Sequence, residues 1–207
     1  MAPALHPAAG LAVAYLSGAF PTAYLAGRLV KGIDLRQHGS GNLGATNVYR
    51  LLGSKVAGVV LLVDALKGAL PVLLLPSLLV SDRPELWAIA FGVAAILGHV
   101  RSPFLLWKGG GKGVATAGGV FGALAPVAML AAIVAWGLVL WATGYVSLAS
   151  LTAAALLPLV VLATLGASSP VFGFSVVVAL FVFWTHRANI QRLRAGTENR
   201  FGRKAAS

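Results

Sequence analysis

A polar, glycine-spaced segment at residues 39–50, GSGNLGATNVYR, contains side chains well suited to binding and catalysis. Its three glycines leave backbone amides accessible, while Ser40, Asn42 and Asn47 supply small donors and acceptors that do not titrate. Arg50 ends the segment with a planar, permanently charged group. Accessible amides near a helix start bind anions, so the segment indicates a site for a phosphate or a polyol. The alternative is a glycine-rich surface loop.

A second glycine-rich segment, GGGKGVATAGG at residues 109–119, opens a stretch of apolar sequence. Consecutive amides without side chains, a helix start and the ammonium group of Lys112 together predict a phosphate cradle. The segment is not a Walker P-loop, because Leu106 and Gly113 stand where that motif requires glycine and then serine or threonine. Close packing of glycines between membrane helices is the alternative, although packing does not require a central lysine.

A basic segment, HRANIQRLRAGTENR at residues 186–200, follows the last apolar stretch. Helical spacings of three and four place His186, Asn189 and Leu193 on one face. Imidazole titrates near neutral pH, so His186 is a candidate for proton transfer, and a hydrogen-bonded helix cap is the alternative. Anchoring to anionic lipid headgroups is the usual role of such a basic segment.

Two charged residues, Asp64 and Lys67, interrupt a long apolar stretch. Three residues apart on a helix, they share a face and can form an ion pair. An unpaired charge at the centre of a membrane helix costs about 2.5–3.5 kcal/mol, so both are expected to face the protein interior or a polar cavity. A structural pair between helices and a direct catalytic role both remain open.

The composition identifies an integral membrane protein, since 58% of residues are hydrophobic and only 10% are charged. The absence of cysteine excludes disulfides, thiolate metal sites and a thioester-forming nucleophile. No metal-ligand cluster is apparent. The net charge of +11 comes mostly from three short polar stretches beside apolar ones, which indicates membrane flanks rather than a nucleic-acid partner.

Apolar lengths and charge placement predict an all-α, polytopic transmembrane helical bundle that forms one domain over residues 1–207. Positive flanks mark the cytoplasmic side, so the C-terminus is expected in the cytoplasm. The N-terminus, without Lys or Arg before Arg28, is expected outside and without a cleaved signal peptide. Termini on opposite sides of the membrane require an odd number of helices, and this count requires the chain to turn back near residues 122–126. A kink is expected at Pro21. A five-span model is the alternative to the favoured seven helices, which are residues 11–30, 56–80, 86–100, 114–124, 127–141, 146–165 and 170–185.

Three polar segments on one membrane face favour an enzyme that handles two anionic substrates at the cytoplasmic interface. A small organic-anion transporter is the alternative, because broken helices and an intramembrane ion pair would suit it. Transport by alternating access, however, usually places its site near the membrane midplane and uses a structural repeat, and no repeat is evident. A lipid-anchored scaffold is a more distant alternative.

Several motifs resemble one family, the bacterial integral-membrane acyl-phosphate:glycerol-3-phosphate acyltransferases. GSGNLGATN at residue 39, GGKGVAT at residue 110 and HRANIQRLRAGTE at residue 186 resemble its three signature motifs, in order and spacing. LVDALKG at residue 62 and GHVRSPF at residue 98 also resemble the family, so the similarity extends from about residue 11 to 202. One departure is Gly109, which separates Lys108 from Gly110 and leaves the role of Lys108 open.

The resemblance implies transfer of a fatty acyl group from acyl phosphate to the 1-hydroxyl of glycerol 3-phosphate. The products would be lysophosphatidic acid (1-acyl-glycerol 3-phosphate) and inorganic phosphate, in the first acylation of phospholipid biosynthesis. No cofactor is implied. The expected location is the bacterial inner (plasma) membrane with the active site on the cytoplasmic face. The implied partners are glycerol 3-phosphate, a long-chain acyl phosphate and membrane lipid, and a further candidate is the enzyme that makes acyl phosphate.

The resemblance also assigns residues to these substrates. The acyl phosphate would be cradled by Gly110, Gly111, Lys112 and Gly113. Glycerol 3-phosphate would be held by Ser40, Arg50, Lys112, His186 and Asn189. Supporting roles fall to Asn42, Asn47, Asp64, Lys67 and Glu198.

Ser40 and His186 are the candidate catalytic residues. Ser40 would lie beside the reacting carbonyl, and an acyl-enzyme on its hydroxyl is an alternative that lacks a nearby base in sequence. His186 has a suitable intrinsic pKa, but a substrate phosphate can accept the hydroxyl proton instead. The resemblance favours that substrate-assisted route.

Overall fold

The described part of the chain, residues 7–79 and 83–201, contains helices and turns but no strand. This computed structural model has the all-α fold that the sequence predicts. Helices are expected because a backbone in hydrocarbon must satisfy its N–H and C=O groups within its own segment. The chain divides into two compact units, Met1–Leu124 and Ala125–Ser207.

The first unit is built around two long helices, α4 (Ser54–Leu79) and α5 (Pro84–Val100). Helix α1 packs against α5, and α4 packs against both α5 and α6. Short 3₁₀ turns at Leu35–Gln37 and Pro103–Leu105 lie in the two polar segments of this unit. Its described helices are α1 (Pro7–Ala19), α2 (Thr22–Lys31), α3 (Ala45–Leu52), α4 (Ser54–Leu79), α5 (Pro84–Val100) and α6 (Val114–Leu124).

The first apolar stretch breaks at Pro21, where the sequence predicts a kink. Helix α1 ends and α2 begins on either side of this residue, because proline has no N–H and its ring disfavours helical backbone in the preceding residue. Helix α2 ends at Gly32, whose φ of 68° is the left-handed conformation of a helix C-cap. Together the two helices cover Pro7–Lys31, which is long enough to cross a membrane.

Glycines allow the helices of the first unit to approach closely. A Cβ at Gly18 of α1 would overlap the carbonyl of Ala95 in α5, and a Cβ at Gly98 of α5 would overlap the carbonyl of Tyr15 in α1. Gly119 of α6 meets the backbone of α4 in the same way. Small residues at such crossings give the close van der Waals packing that joins helices in lipid. These contacts fix the helix ends that carry the polar segments.

The second unit is built around α8, which packs against α7 and α9. Gly144, with φ of 75°, ends α7 and allows the turn into α8. Helix α10 is bent by 58° from α9 and also contacts α8. The described helices are α7 (Pro126–Thr143), α8 (Val146–Leu165), α9 (Pro170–Thr185) and α10 (Arg187–Arg194).

The predicted break near residues 122–126 is confirmed, since α6 ends at Leu124 and α7 begins at Pro126. Proline suits the first position of a helix because its missing N–H would have no partner there. A single helix from residue 114 to 141 is therefore excluded.

Five helical stretches in the described part of the chain are long and apolar enough to cross a membrane. The bent pair α9 and α10 is a further candidate, and α6 is a shorter apolar helix. The chain is thus a multi-pass membrane protein. The count of seven helices, the five-span alternative and the sides of the two termini stay predictions. Residue 80, the last of the predicted helix 56–80, lies outside the described part. The five stretches are Pro7–Lys31, Ser54–Leu79, Pro84–Leu105, Pro126–Thr143 and Val146–Leu165.

Candidate active-site segments

The first glycine-spaced segment folds around the buried side chain of Asn47. Its Oδ1 accepts the N–H of Ser40 at 3.0 Å. Its Nδ2 donates to the carbonyls of Leu35 at 3.3 Å and His38 at 3.1 Å. Because the Asn47 side chain satisfies three backbone groups at once, it fixes the conformation of the segment.

Ser40 lies on the exposed side of this segment. Gly39 and Gly41, on either side, have φ of 63° and 68°, which side chains with a Cβ rarely adopt. Asn42 is half-buried, and Arg50 is exposed in the last turn of α3. The glycines therefore fold the backbone sharply on both sides of Ser40.

The second glycine-rich segment leads into the N-terminus of α6. Because α6 begins at Val114, the amides from Gly111 to Gly113 precede its first turn, where the helix dipole is positive. Gly113 has φ of 79°, and Lys112 is half-buried beside it. Backbone amides and an ammonium group in this arrangement can bind a phosphate.

One hydrogen bond joins the first glycine-spaced segment to the second, and another joins residues that precede the two segments. The N–H of Leu43 donates to the carbonyl of Gly110 at 3.4 Å, and Nη1 of Arg36 donates to the carbonyl of Lys108 at 3.1 Å. A Cβ at Gly109 would lie only 2.8 Å from Cδ of Arg36. Gly109, which separates Lys108 from Gly110, therefore makes room for Arg36. Two of the three predicted segments thus meet in the first unit.

A buried carboxylate orients Arg36. Asp34 is 5% exposed, and its Oδ2 accepts from Nη2 of Arg36 at 2.6 Å. This hydrogen bond is the main reason that the pKa of Asp34 falls to about 2. The guanidinium of Arg36 also stacks over Tyr24, 5.2 Å from the ring centroid. Asp34 therefore holds the guanidinium of Arg36 in the orientation in which it contacts the carbonyl of Lys108.

The predicted pair of Asp64 and Lys67 forms inside the first unit. Nζ of Lys67 lies 2.7 Å from Oδ1 of Asp64, and both side chains are buried. Nζ of Lys67 also donates to the carbonyl of Phe20, at the Pro21 break, at 3.0 Å. His99 lies beside the pair, with Nδ1 3.8 Å from Oδ1 of Asp64, which is longer than a hydrogen bond. The pair faces the protein interior, as the cost of burying charge predicts.

A small cavity beside this cluster reaches the second glycine-rich segment. It is lined by the three side chains Asp64, Lys67 and His99 and by the backbone of Gly110 and Gly111, among others. It has room for about one water molecule. The buried charges therefore lie directly next to the candidate phosphate cradle.

In the second unit, Glu198 accepts hydrogen bonds from three side chains. Its Oε1 accepts from Asn189 at 2.7 Å and from Ser147 at 2.9 Å, and its Oε2 accepts from Nε of Arg192 at 2.6 Å. Burial raises the pKa of Glu198, but these hydrogen bonds outweigh it and the pKa is lowered. Glu198 therefore holds Asn189 in one orientation and ties the C-terminal segment to α8 and α10.

His186 lies at the junction of α9 and α10 and is 4% exposed. Its Nδ1 is 2.8 Å from the carbonyl of Val182. A carbonyl can only accept, so Nδ1 carries the proton and Nε2 is the basic nitrogen of the neutral ring. The predicted helix-cap role uses Nδ1, whereas the predicted role in proton transfer would use Nε2. The two roles are therefore compatible.

Four residues that shape these segments were missed by sequence reasoning: Asp34, Arg36, His99 and Ser147. Asp34 and Arg36 do carry a signal, because opposite charges two residues apart after an apolar stretch can pair locally. His99 ends an apolar helix, which is a weaker signal. Nothing in the sequence distinguishes Ser147 from other serines near helix starts.

Comparison with known proteins agrees with these motifs. A model of the family "Glycerol-3-phosphate acyltransferase" matches residues 8–196. The glycerol-3-phosphate acyltransferase of Geotalea daltonii is 50% identical over 190 residues, covering 92% of this chain and 95% of the relative. That of Geobacter metallireducens is 53% identical over 191 residues, with the same coverage of both chains.

Two crystal structures of PlsY (YgiH), an integral membrane glycerol 3-phosphate acyltransferase, are also similar. Its glycerol 3-phosphate form has a TM-score of 0.82 and 38% identity, covering 95% of this chain and 96% of the other. Its lysophosphatidic acid form has a TM-score of 0.81 at the same identity, covering 95% of each chain. On its motifs, its fold and these similarities, the chain belongs to the glycerol-3-phosphate acyltransferase family and is an acyltransferase.

Proposed function

We propose that this acyltransferase moves a fatty acyl group from acyl phosphate to the 1-hydroxyl of glycerol 3-phosphate. The products are lysophosphatidic acid and inorganic phosphate, and the reaction is the first acylation of phospholipid biosynthesis. The ligands of the similar PlsY structures, glycerol 3-phosphate and lysophosphatidic acid, support this substrate and product. Family membership also favours the enzyme over the organic-anion transporter that the sequence left open.

The observation that carries the proposal is the contact between the two glycine-rich segments of the first unit. Acyl phosphate is a mixed anhydride with a good leaving group, so its enzyme needs chiefly to orient both substrates and stabilise developing negative charge. The backbone of Gly110 to Gly113 and the ammonium of Lys112 would hold the phosphate at the N-terminus of α6. Ser40, on the adjoining segment, would lie beside the carbonyl.

The reaction itself requires one proton transfer. The hydroxyl oxygen of glycerol 3-phosphate attacks the carbonyl carbon, the bond from that carbon to the phosphate oxygen breaks, and inorganic phosphate leaves with the electron pair. We assign the hydroxyl proton to a substrate phosphate, with Nε2 of His186 as the alternative acceptor. Ser40, Arg50 and Lys112 of the first unit are proposed to bind glycerol 3-phosphate. His186 and Asn189 of the second unit are proposed to be required for turnover with it.

The remaining assignments follow from the charge pattern and the resemblance. Residues 1–207 are proposed to act as a single integral-membrane acyltransferase domain in the bacterial inner membrane. Its active site is proposed to face the cytoplasm, because most Lys and Arg residues flank the apolar stretches on that predicted side. The enzyme that makes acyl phosphate is a candidate partner on this basic face.

Phosphate release by the purified protein in detergent tests the proposal. Palmitoyl phosphate is supplied with and without glycerol 3-phosphate, and without nucleotide, metal or acyl-CoA. We expect release that requires both substrates, with 1-acyl-glycerol 3-phosphate appearing in equal amount. Lys112→Ala should abolish it, and Lys31→Ala, which changes an exposed lysine of the same unit, should retain it.

If the protein is inactive with acyl phosphate but acylates glycerol 3-phosphate from acyl-CoA, the proposed donor is wrong. Equal losses in Lys112→Ala and Lys31→Ala would overturn the proposed role of the cradle, because a general effect of charge would then explain both.

A further inference from the structure

The buried imidazole of His99 lies against the backbone of the candidate phosphate cradle. The ring of His99 is so close to the backbone of Gly111 that a Cβ there would overlap Nε2 and lie 2.6 Å from Cε1. Gly109 and Gly113 have positive φ, whereas Gly111 does not. Glycine at position 111 is therefore required by the His99 ring and not by backbone conformation.

The His99 ring is packed beside the buried pair of Asp64 and Lys67. Its Nδ1 faces Oδ1 of Asp64 at 3.8 Å, and the same oxygen is 2.7 Å from Nζ of Lys67. Lys67 is itself tied to the carbonyl of Phe20. All three side chains of this cluster are at most 8% exposed. Ionisable groups inside membrane helices are expensive to bury, so a cluster of three indicates a use beyond filling space.

The backbone of His99 contacts the cradle as well. Its carbonyl accepts the N–H of Gly111 at 3.4 Å. His99 thus touches the same glycine through its ring and through its carbonyl. Its position at the end of α5 connects the cradle to a helix that glycine contacts hold against α1.

We propose that His99 is a positioning residue for acyl phosphate: its ring, packed beside the Asp64–Lys67 pair, determines where the Gly111 backbone lies in the cradle. This rests on the proposed function, in which the backbone of Gly110 to Gly113 cradles the donor phosphate. His99 does not touch the substrate. It determines where that backbone lies, and a displacement of about 1 Å in a substrate-binding group is enough to cost about 100-fold in rate.

A size-complementation experiment tests this inference. Gly111→Ala alone places a methyl group against the ring, so we expect about a 100-fold loss in kcat/KM for palmitoyl phosphate. His99→Ala alone should raise the KM for palmitoyl phosphate. In the double variant the methyl group occupies the space that the ring has left. Its activity should therefore return to that of His99→Ala alone, a strong departure from additivity.

Gly110 supplies the matched control. A Cβ at Gly110 would overlap the carbonyl of Val100, which is backbone and stays in place when His99 is shortened. Gly110→Ala should therefore be equally inactive with and without His99→Ala. Rescue of both glycine variants by His99→Ala would overturn the inference, because it would show that the substitution makes the whole segment more flexible and does not relieve one specific contact. Rescue of neither, in samples that elute as one species, would overturn it too.

A second readout covers the case in which Gly111→Ala does not fold. Inorganic phosphate is a product and should compete with palmitoyl phosphate for the cradle. His99→Ala should raise both its inhibition constant and the KM for palmitoyl phosphate, leave the KM for glycerol 3-phosphate unchanged, and be partly restored by His99→Gln. Equal effects on both substrates would overturn the inference. Failure of the unmodified enzyme to use palmitoyl phosphate would instead overturn the proposed function, so the two failures are distinguishable.

Discussion

Replacing Glu198 by glutamine is the most direct test of the cluster in the second unit. The carboxylate accepts from Asn189 and Ser147 at one oxygen and from Arg192 at the other. Glutamine offers one accepting oxygen and one NH₂ group. In either amide orientation, that NH₂ group faces a neighbouring nitrogen that also donates, so at least one hydrogen bond is lost.

The size of the loss follows from burial and charge. A hydrogen bond to a charged group contributes about 1.5–3 kcal/mol to stability. The Glu198 side chain is 5% exposed, but that of Arg192 is 40% exposed, so water can replace part of what the arginine loses. We therefore expect Glu198→Gln to lower the free energy of unfolding by about 1.5 kcal/mol at neutral pH.

The same variant predicts a pH dependence. Because the pKa of Glu198 is lowered in the folded protein, its stabilising contribution is present above the ordinary value of 4.5 and is lost as the pH falls through the lowered value. The difference in stability between the unmodified protein and Glu198→Gln should be constant near neutral pH. It should shrink below pH 4.5.

Titration with a denaturing detergent, followed by circular dichroism, measures this difference. Glu85→Gln is the matched control, since it makes the same chemical change at an exposed position of α5 and should cost about 0.5 kcal/mol or less. Equal stability of Glu198→Gln and the unmodified protein at neutral pH would refute the reasoning. So would a difference that stays the same through the acid range.

Two further predictions concern the first unit. Lys67→Met leaves Asp64 buried without its partner and should cost about 3–5 kcal/mol in the same titration, whereas adding Asp64→Asn should recover most of it. Additive losses in the double variant would contradict the ion pair. Asp34→Asn removes a carboxylate whose pKa is lowered to about 2 by Arg36, so its stabilisation is present above pH 3.8 and lost as the pH falls towards 2. The melting temperatures of Asp34→Asn and the unmodified protein should differ near neutral pH and converge in acid, and a gap that persists would count against the Arg36 contact.

Local sequence features predicted much of the fold. The Pro21 break and the end of α6 before Pro126 follow from what proline does to a helix, and apolar length predicts where the long helices lie. The pairing of Asp64 and Lys67 also follows from helical spacing. Each of these inferences needs only neighbours along the chain.

The contacts that shape the candidate site depend on how helices are rotated and placed against each other, which sequence spacing does not determine. His99 meets Asp64 only because α4 and α5 pack with those faces together. Ser147 meets Glu198 only because the C-terminal segment returns to the start of α8. The glycine motifs indicated phosphate chemistry, but Arg36, which contacts the carbonyl of Lys108 beside them, lies outside both.

The break at Pro21 and the buried lysine depend on each other. The carbonyl of Phe20, at the break, accepts from Nζ of Lys67 and from the N–H of Thr22. A straight helix would remove this carbonyl from the Lys67 ammonium and leave Asp64 as its remaining partner described above. Loss of Lys67 would leave the break without its hydrogen bond from α4. The proline break and the buried lysine therefore stabilise each other through one carbonyl.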